Sequence, residues 1–267
     1  MTKFSHIVKA CAAGIAATAL VVGSATAHTS YLLPNIFTAN VERYVTLQAS
    51  FAEDFFRPEI AVDNADFHVI RPDGSRAELE NITKLRQMVV LESPIEEEGT
   101  YRFTTGVRHG RTGQVALVDG EWVPVRGEAP ASAVQVQTSQ TETVADVYVT
   151  KKAPTRAPVD LAIGRLVIQP VTHPSDIYKG GGFDFKILFD GEPLADQVVN
   201  LDRGDAQYDA APAHRELRTD AQGGVSLSFE KPGVYLLMVR HRAAAPAGSE
   251  TDQRSYTTSL TFEVQPY

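Results

Sequence analysis

Cysteine is almost missing from this sequence. Its one copy, Cys11 of 267 residues, falls inside an N-terminal segment that reads as a leader. Without it the chain has no disulfide, no zinc–thiolate site and no cysteine nucleophile. Long apolar runs are missing as well. The longest, Ala12–Val22, is short of the roughly 20 residues that cross a bilayer as a helix. Amphipathic helical periodicity is nearly absent. There is no Gly-x-Ser-x-Gly elbow, no His-Glu-x-x-His and no phosphate-cradling glycine loop ahead of a helix. Gly180-Gly181-Gly182 precedes a strand pattern, so it is a turn. The cations are outnumbered too: the formal net charge is −8. That balance argues against nucleic acid or anionic lipid as partner.

What is present begins with a secretory signal. Lys3 and Lys9 form the positive n-region, Ala12–Val22 the apolar core, and Ala25-Thr26-Ala27 an A-x-A cleavage site. This reading assigns residues 1–27 to the signal peptide and sends the protein to a bacterial periplasm. Removing 27 residues from 267 leaves 240, and losing two lysines takes the charge to −10. The mature chain would begin at His28. Cleavage a residue or two away would leave His28 internal.

The rest is strand-like. Val45, Leu47, Ala49 and Phe51 alternate with Thr46, Gln48 and Ser50, the period of a half-buried strand. Further strands are expected at Phe67–Ile70, Gln87–Leu91, Tyr101–Thr105 and Val144–Val149. In the second half they are expected at Leu166–Ile168, Phe183–Phe189, Val198–Leu201, Val225–Phe229, Val234–His241 and Thr258–Val264. Turn signals separate them: Arg71-Pro72-Asp73-Gly74, Asp119-Gly120, Asp190-Gly191 and Lys231-Pro232-Gly233. Lys151–Pro158, with two prolines and three cations, reads as a linker that buries nothing. The fold class is therefore all-β: two antiparallel sandwiches, immunoglobulin-like or prealbumin-like, over residues 28–155 and 156–267. Gly99-Thr100-Tyr101 and Gly233-Val234-Tyr235 form a faint internal echo. Ala243–Ser255 is expected to be a mobile loop.

Chemistry points to the six histidines after the leader. An N-terminal His28 would offer an α-amine and an imidazole from one residue, a pair suited to copper, nickel or cobalt. His241 has the parity of Tyr235, Leu237 and Val239, placing it on the core side or rim as a ligand or as a hydrogen-bonded core histidine. His68 has the parity opposite to Phe67 and Val69 and is expected at the surface. His173, before Pro174, either caps a turn or binds metal. His109 and His214 are expected in polar loops beside Arg108, Arg111 and Arg215, which disfavour a cation. Asp252 is a possible oxygen ligand. The metal site expected is His28, His241, His68, His173 and Asp252. Glu96-Glu97-Glu98 reads as a solvated edge.

The mature start His28-Thr29-Ser30-Tyr31-Leu32-Leu33-Pro34 resembles domain-of-unknown-function family 4198. So do Phe185–Leu194, Thr219–Gly223, Pro232-Gly233-Val234-Tyr235 and the ending Ser259–Val264. The leading histidine and the one matching His241 are the more specific features. The resemblance implies a secreted β-rich protein that handles a transition metal and hands it to a membrane transporter. An aromatic-rich segment of that family is replaced here by Asp252-Gln253-Arg254-Ser255-Tyr256. The expected function is periplasmic nickel, cobalt or copper binding, without catalysis. Two other readings stay open. One is a copper-dependent oxidative enzyme built on an N-terminal histidine brace; the other is a metal-free adhesion or scaffold protein.

Overall fold

A computed structural model describes residues 28–204, 208 and 214–266, so the expected signal segment lies outside the described residues. In the first half, the strands are β1 (Thr29–Pro34), β2 (Thr38–Ala39), β3 (Tyr44–Ala52), β4 (Ile60–Ala61), β5 (His68–Ile70) and β6 (Arg76–Glu78). Then come β7 (Asn81–Lys84), β8 (Val89–Pro94), β9 (Gly99–Thr104), β10 (Arg108–Val118), β11 (Glu121–Val125) and β12 (Gln135–Lys151). One helical turn, α1 (Ala157–Asp160), leads to β13 (Leu166–Pro170), β14 (Gly182–Phe189), β15 (Glu192–Pro193) and β16 (Val198–Arg203). The chain ends with β17 (His214–Arg218), β18 (Gly224–Ser228), β19 (Gly233–Ala244) and β20 (Gln253–Val264).

Three sheets result. A large central sheet runs β17-β16-β19-β20-β12-β9-β5-β6, with β10, β11 and β2 attached through β12. A second holds β1-β3-β8-β7 and β4; a third holds β13-β14-β15 and β18. The side-chain period of two sorts residues between the faces of the central sheet. Ala145, Val147 and Val149 of β12 pack with Leu32, Val45, Leu47 and Leu91 of the second sheet. Tyr148, of opposite parity, joins Leu260 and Phe262 of β20 against Phe183, Phe185 and Ile187 of the third sheet. The two outer sheets therefore cover opposite faces of the central one, each over one half.

Element order repeats. In the first half β1-β3-β8 face β6-β5-β9-β12, with β4 beside β3; in the second, β13-β14-β18 face β17-β16-β19-β20, with β15 beside β14. Each half is a seven-stranded immunoglobulin-like sandwich. The Gly-x-Tyr echo is part of this repeat. Gly99 and Gly233 both have strongly positive φ, 136° and 139°. The hydroxyls of Tyr101 and Tyr235 both donate to the carbonyl four residues upstream, of Glu97 and Lys231, each at 2.9 Å. That is a tyrosine corner in both halves. A Cβ at Gly99 would come within 2.4 Å of the Pro72 side chain, so glycine is required there twice over.

The halves meet through β12 and β20, which pair in parallel from Ser139↔Gln253 to Val147↔Thr261. The reverse face of β19 and β20 is covered by β1. Ser259 Oγ donates to Ser30 O at 2.6 Å, and Tyr31 packs with Leu236, beside Phe55, Phe56 and Met238.

Three local expectations are corrected. Lys151–Pro158 is not a solvated linker: Lys151 is the last residue of β12, and its ammonium is buried against Ile95 O at 2.7 Å. Thr155 exchanges hydrogen bonds with Thr100, and Pro158 and Val159 are buried. The segment around His109, expected as a polar loop, is a strand, β10, with β11 on one edge and β12 on the other. The loop after His241 is shorter than expected, because β19 and β20 continue their ladder to Ala244↔Gln253. Among the described residues no helix is long and apolar enough to cross a membrane.

A shared central sheet should couple the unfolding of the two cores. Phe262→Ala removes a buried ring packed on Phe183, Phe229 and Tyr235, at a cost of about 3–5 kcal/mol. In urea, the transition followed by Trp122 fluorescence in the first half should fall together with that followed by circular dichroism. An unmoved Trp122 transition would mean that the halves unfold separately.

Candidate functional site

The residue just before β1 is held by two carboxylates. His28 Nε2 lies 2.7 Å from Glu59 Oε2, and Nδ1 lies 3.5 Å from Glu53 Oε1. The sequence places them together because β1 pairs with β3 in the register Thr29↔Ala52, so residue 28 faces residue 53. Glu59 arrives by the return of β4, whose Ile60 pairs with Phe51. The Glu59 carboxylate accepts the Glu53 N–H at 3.0 Å, and its own N–H is donated to Phe51 O and Ser50 Oγ. The Glu53 N–H, and after it the His28 ring, hold the Glu59 carboxyl below its usual range. All three side chains are partly exposed, open to a solute.

The internal repeat gives this site a counterpart. Leu166 pairs with Phe189 as Thr29 pairs with Ala52, so Arg165 and Asp190 occupy the positions of His28 and Glu53. There the pair is a bidentate guanidinium–carboxylate bridge. The guanidinium stacks over Phe189 and Tyr256, 4.8 and 5.1 Å from the ring centres, and donates to the Tyr256 hydroxyl. The first half thus carries an imidazole where the second carries a guanidinium.

The other residues named from the sequence have partners of their own, and no hydrogen bond or ion pair joins any two of the five. His241 faces the third sheet, as its parity requires. Its ring lies 4.7 Å from that of Phe189, and Nδ1 is 3.2 Å from Gln197 Oε1. Burial, partly opposed by Asp190, lowers its pKa. His68 is not at the surface, as its parity had suggested, but 5% exposed. The central sheet is covered on both faces here, so opposite parity still leads inward; Nδ1 meets Asp66 O at 2.6 Å. His173 has both nitrogens engaged. Nδ1 accepts the Ser175 N–H at 3.1 Å, which leaves the proton on Nε2 to donate to Thr155 O at 3.1 Å. It caps the 3₁₀ turn Pro174–Asp176 and ties it to the segment joining the halves. Asp252 accepts from Thr138 N and Oγ1 at 2.8 and 2.7 Å, pinning the β19–β20 turn to β12.

Among the described residues no three or more His, Cys, Asp and Glu side chains converge to hold a metal ion. Around His28 the reason is plain: Glu53 and Glu59 lie at different ring nitrogens, not at a common point. Sequence reasoning missed both glutamates, because a carboxylate in a loop gains meaning only through the β1–β3 register.

His173 also supplies a pH dependence. Burial depresses its folded pKa below 6.5. Between the folded value and 6.5 the unfolded chain binds more protons, so stability falls as pH drops below 6.5. In His173→Gln this component should vanish from the urea midpoint between pH 7 and 5. At pH 7 the variant should lose about 1–3 kcal/mol through its broken hydrogen bonds. An unchanged pH slope would mean that His173 is not the titrating group.

No curated protein matches this sequence. Among solved structures, a DUF4785 family protein from Legionella pneumophila is 12% identical over 78% of this chain and 50% of its own, with a TM-score of 0.26. The D0-D1 domain of intimin is 11% identical over 86% of this chain and 96% of its own, with a TM-score of 0.20. The adhesin InvE of Yersinia pseudotuberculosis is 15% identical over 88% of this chain and 58% of its own, with a TM-score of 0.22. This chain thus spans half the length of the Legionella protein, and similarities this distant assign no function. A family profile does match: residues 25–243, from ahead of His28 to beyond His241, fit a domain of unknown function, DUF4198. With most of its length inside that match, the chain belongs to the DUF4198 family.

Proposed function

We propose that this protein binds a divalent transition metal, nickel, cobalt or copper, outside the cytoplasm, with His28 as its anchoring ligand. It does so without catalysis and passes the ion to a membrane transporter. The observation that carries the reading is the unequal treatment of the two nitrogens of His28. Nε2 is held tightly by Glu59, while Nδ1 faces Glu53 at a looser 3.5 Å. A metal-binding histidine commonly gives one ring nitrogen to the ion and the other, as N–H, to a carboxylate that fixes the ring. Glu59 is suited to that fixing role, and the backbone N–H it accepts orients it in turn.

Nδ1 is the ring nitrogen nearer the residue's own main chain. If the leader is cut after Ala27, the freed α-amine lies on that side, and amine, Nδ1 and the Glu53 carboxylate form a mixed nitrogen–oxygen donor set. Such a set suits a first-row transition ion better than calcium or magnesium. It is poorer in nitrogen than an assembly of several imidazoles would be. His241, His68, His173 and Asp252 serve this reading only indirectly, by holding the frame.

The repeat supplies the test. His28→Arg restores the residue type of the second half, so it should keep the ion pair and the urea midpoint of the parent. It should abolish binding of Ni(II), Co(II) and Cu(II) in calorimetric titrations of protein beginning at residue 28. Glu59→Gln should weaken binding about 10–100-fold, and one extra residue ahead of His28 should weaken it strongly. Binding should weaken as the pH falls, because the metal displaces protons from the imidazole and the amine. Undiminished affinity in His28→Arg would refute the proposal.

A further inference from the structure

Among the described residues, no carboxylate pairs with two arginines on one face of β19. Arg240 and Arg242 are two residues apart, so both side chains leave the same face of the strand. Across the ladder they oppose Thr257 and Ser255 of β20, which in turn pair with Thr143 and Thr141 of β12. Arg240 Nε donates to Thr257 Oγ1 at 3.1 Å, and Arg242 Nη1 to Gln253 Oε1 at 3.4 Å. These are neutral acceptors. Among the described residues neither guanidinium forms an ion pair, whereas Arg102, Arg108, Arg156, Arg165 and Arg254 each meet an Asp or Glu.

Both arginines are half-buried. Burial makes the charged form of Arg240 less favourable; burial, and then the charge of Arg240, do the same to Arg242. Two like charges set side by side in a partly dry place are costly to keep. The same face holds a further unsatisfied group, Thr143 Oγ1, which is buried with no hydrogen-bond partner among the described residues. A small oxyanion would answer all three features. Its oxygens would take the remaining N–H groups of two planar forks, a geometry that matches carboxylate and phosphate alike. Its last lone pairs could accept the Thr143 hydroxyl proton.

We propose that Arg240 and Arg242, floored by Thr257, Ser255 and Thr143, form a binding site for a small polyvalent oxyanion, a polycarboxylate or a phosphate. The test is calorimetric titration of the protein in low-salt buffer with citrate and, separately, with inorganic phosphate. Saturable one-to-one binding of either supports the site. Citrate alone would identify a carboxylate source, and phosphate alone a phosphate source. Arg240→Gln/Arg242→Gln should weaken that binding at least tenfold and leave the unliganded urea midpoint unchanged or higher, since it removes uncompensated charge. Arg218→Gln, which alters an exposed ion pair elsewhere, should bind as the parent does. If neither anion binds, or the double variant binds like the parent, the proposal is wrong. A double variant that unfolds at lower urea would give the arginines a structural role and also overturn it.

Discussion

The parallel ladder between β12 and β20 is the contact on which the rest depends. Parallel pairing of the last strand of each half makes one sheet of two, and it sets the symmetry. A two-fold rotation along the strand direction exchanges β12 with β20 and β9 with β19, and it turns one face of the sheet into the other. The covering sheets must then lie on opposite faces, as the separate clusters around Val147 and Phe262 show. It also leaves the reverse face of β19 and β20 without a cover of its own. β1 serves there, which is why Ser30, Tyr31 and Ser259 are buried where a lone sandwich would leave them wet. Buried on both faces, β20 carries Thr257, Ser259 and Thr261 toward β1, small hydroxyl residues that allow a strand to pack closely over them.

Much of this fold was legible in the residues. Alternation found the strands that have one wet face, such as Tyr44–Ala52, and turn chemistry found their ends. The repeat was visible only as Gly-x-Tyr, because a tyrosine corner constrains two residues while the strands around it diverge freely. Alternation failed where both faces are covered. Opposite parity placed His68 in water, although β5 is buried on both faces. Composition failed at β10, whose glycines and arginines deny a strand pattern while ladder bonds on both sides impose one. Lys151 misled for another reason: a lysine in a proline-bordered run looks solvated, and only the carbonyl of Ile95, distant in sequence, shows where its ammonium goes.

The candidate site was half legible. His28 was marked by its place after the leader, a signal independent of folding. Glu53 and Glu59 were silent, because each depends on a register across β3 and β4. The search for further imidazoles followed the chemistry of nitrogen donors, but His173 and His68 are consumed by the frame. His173 spends both nitrogens on the joint between the halves, a role that one residue before a proline could indicate only as an alternative.

Register also relates the two unusual polar features of the molecule. Ser30 lies over Ser259, which is level with Ala145 of β12, while Thr38 of β2 pairs with Thr150. Going forward from Ser30, the chain therefore travels toward the C-terminal end of β12. Going back, toward His28, it travels toward Thr143, Thr257 and the arginine at position 240. The imidazole with its two carboxylates and the uncompensated arginine pair thus belong to the same end of the central sheet and to the face that β1 leaves uncovered where it begins. Here the side chains are already committed, Glu59 to the His28 ring and a backbone N–H, and Arg240 to Thr257. No hydrogen bond or ion pair joins the two features among the described residues.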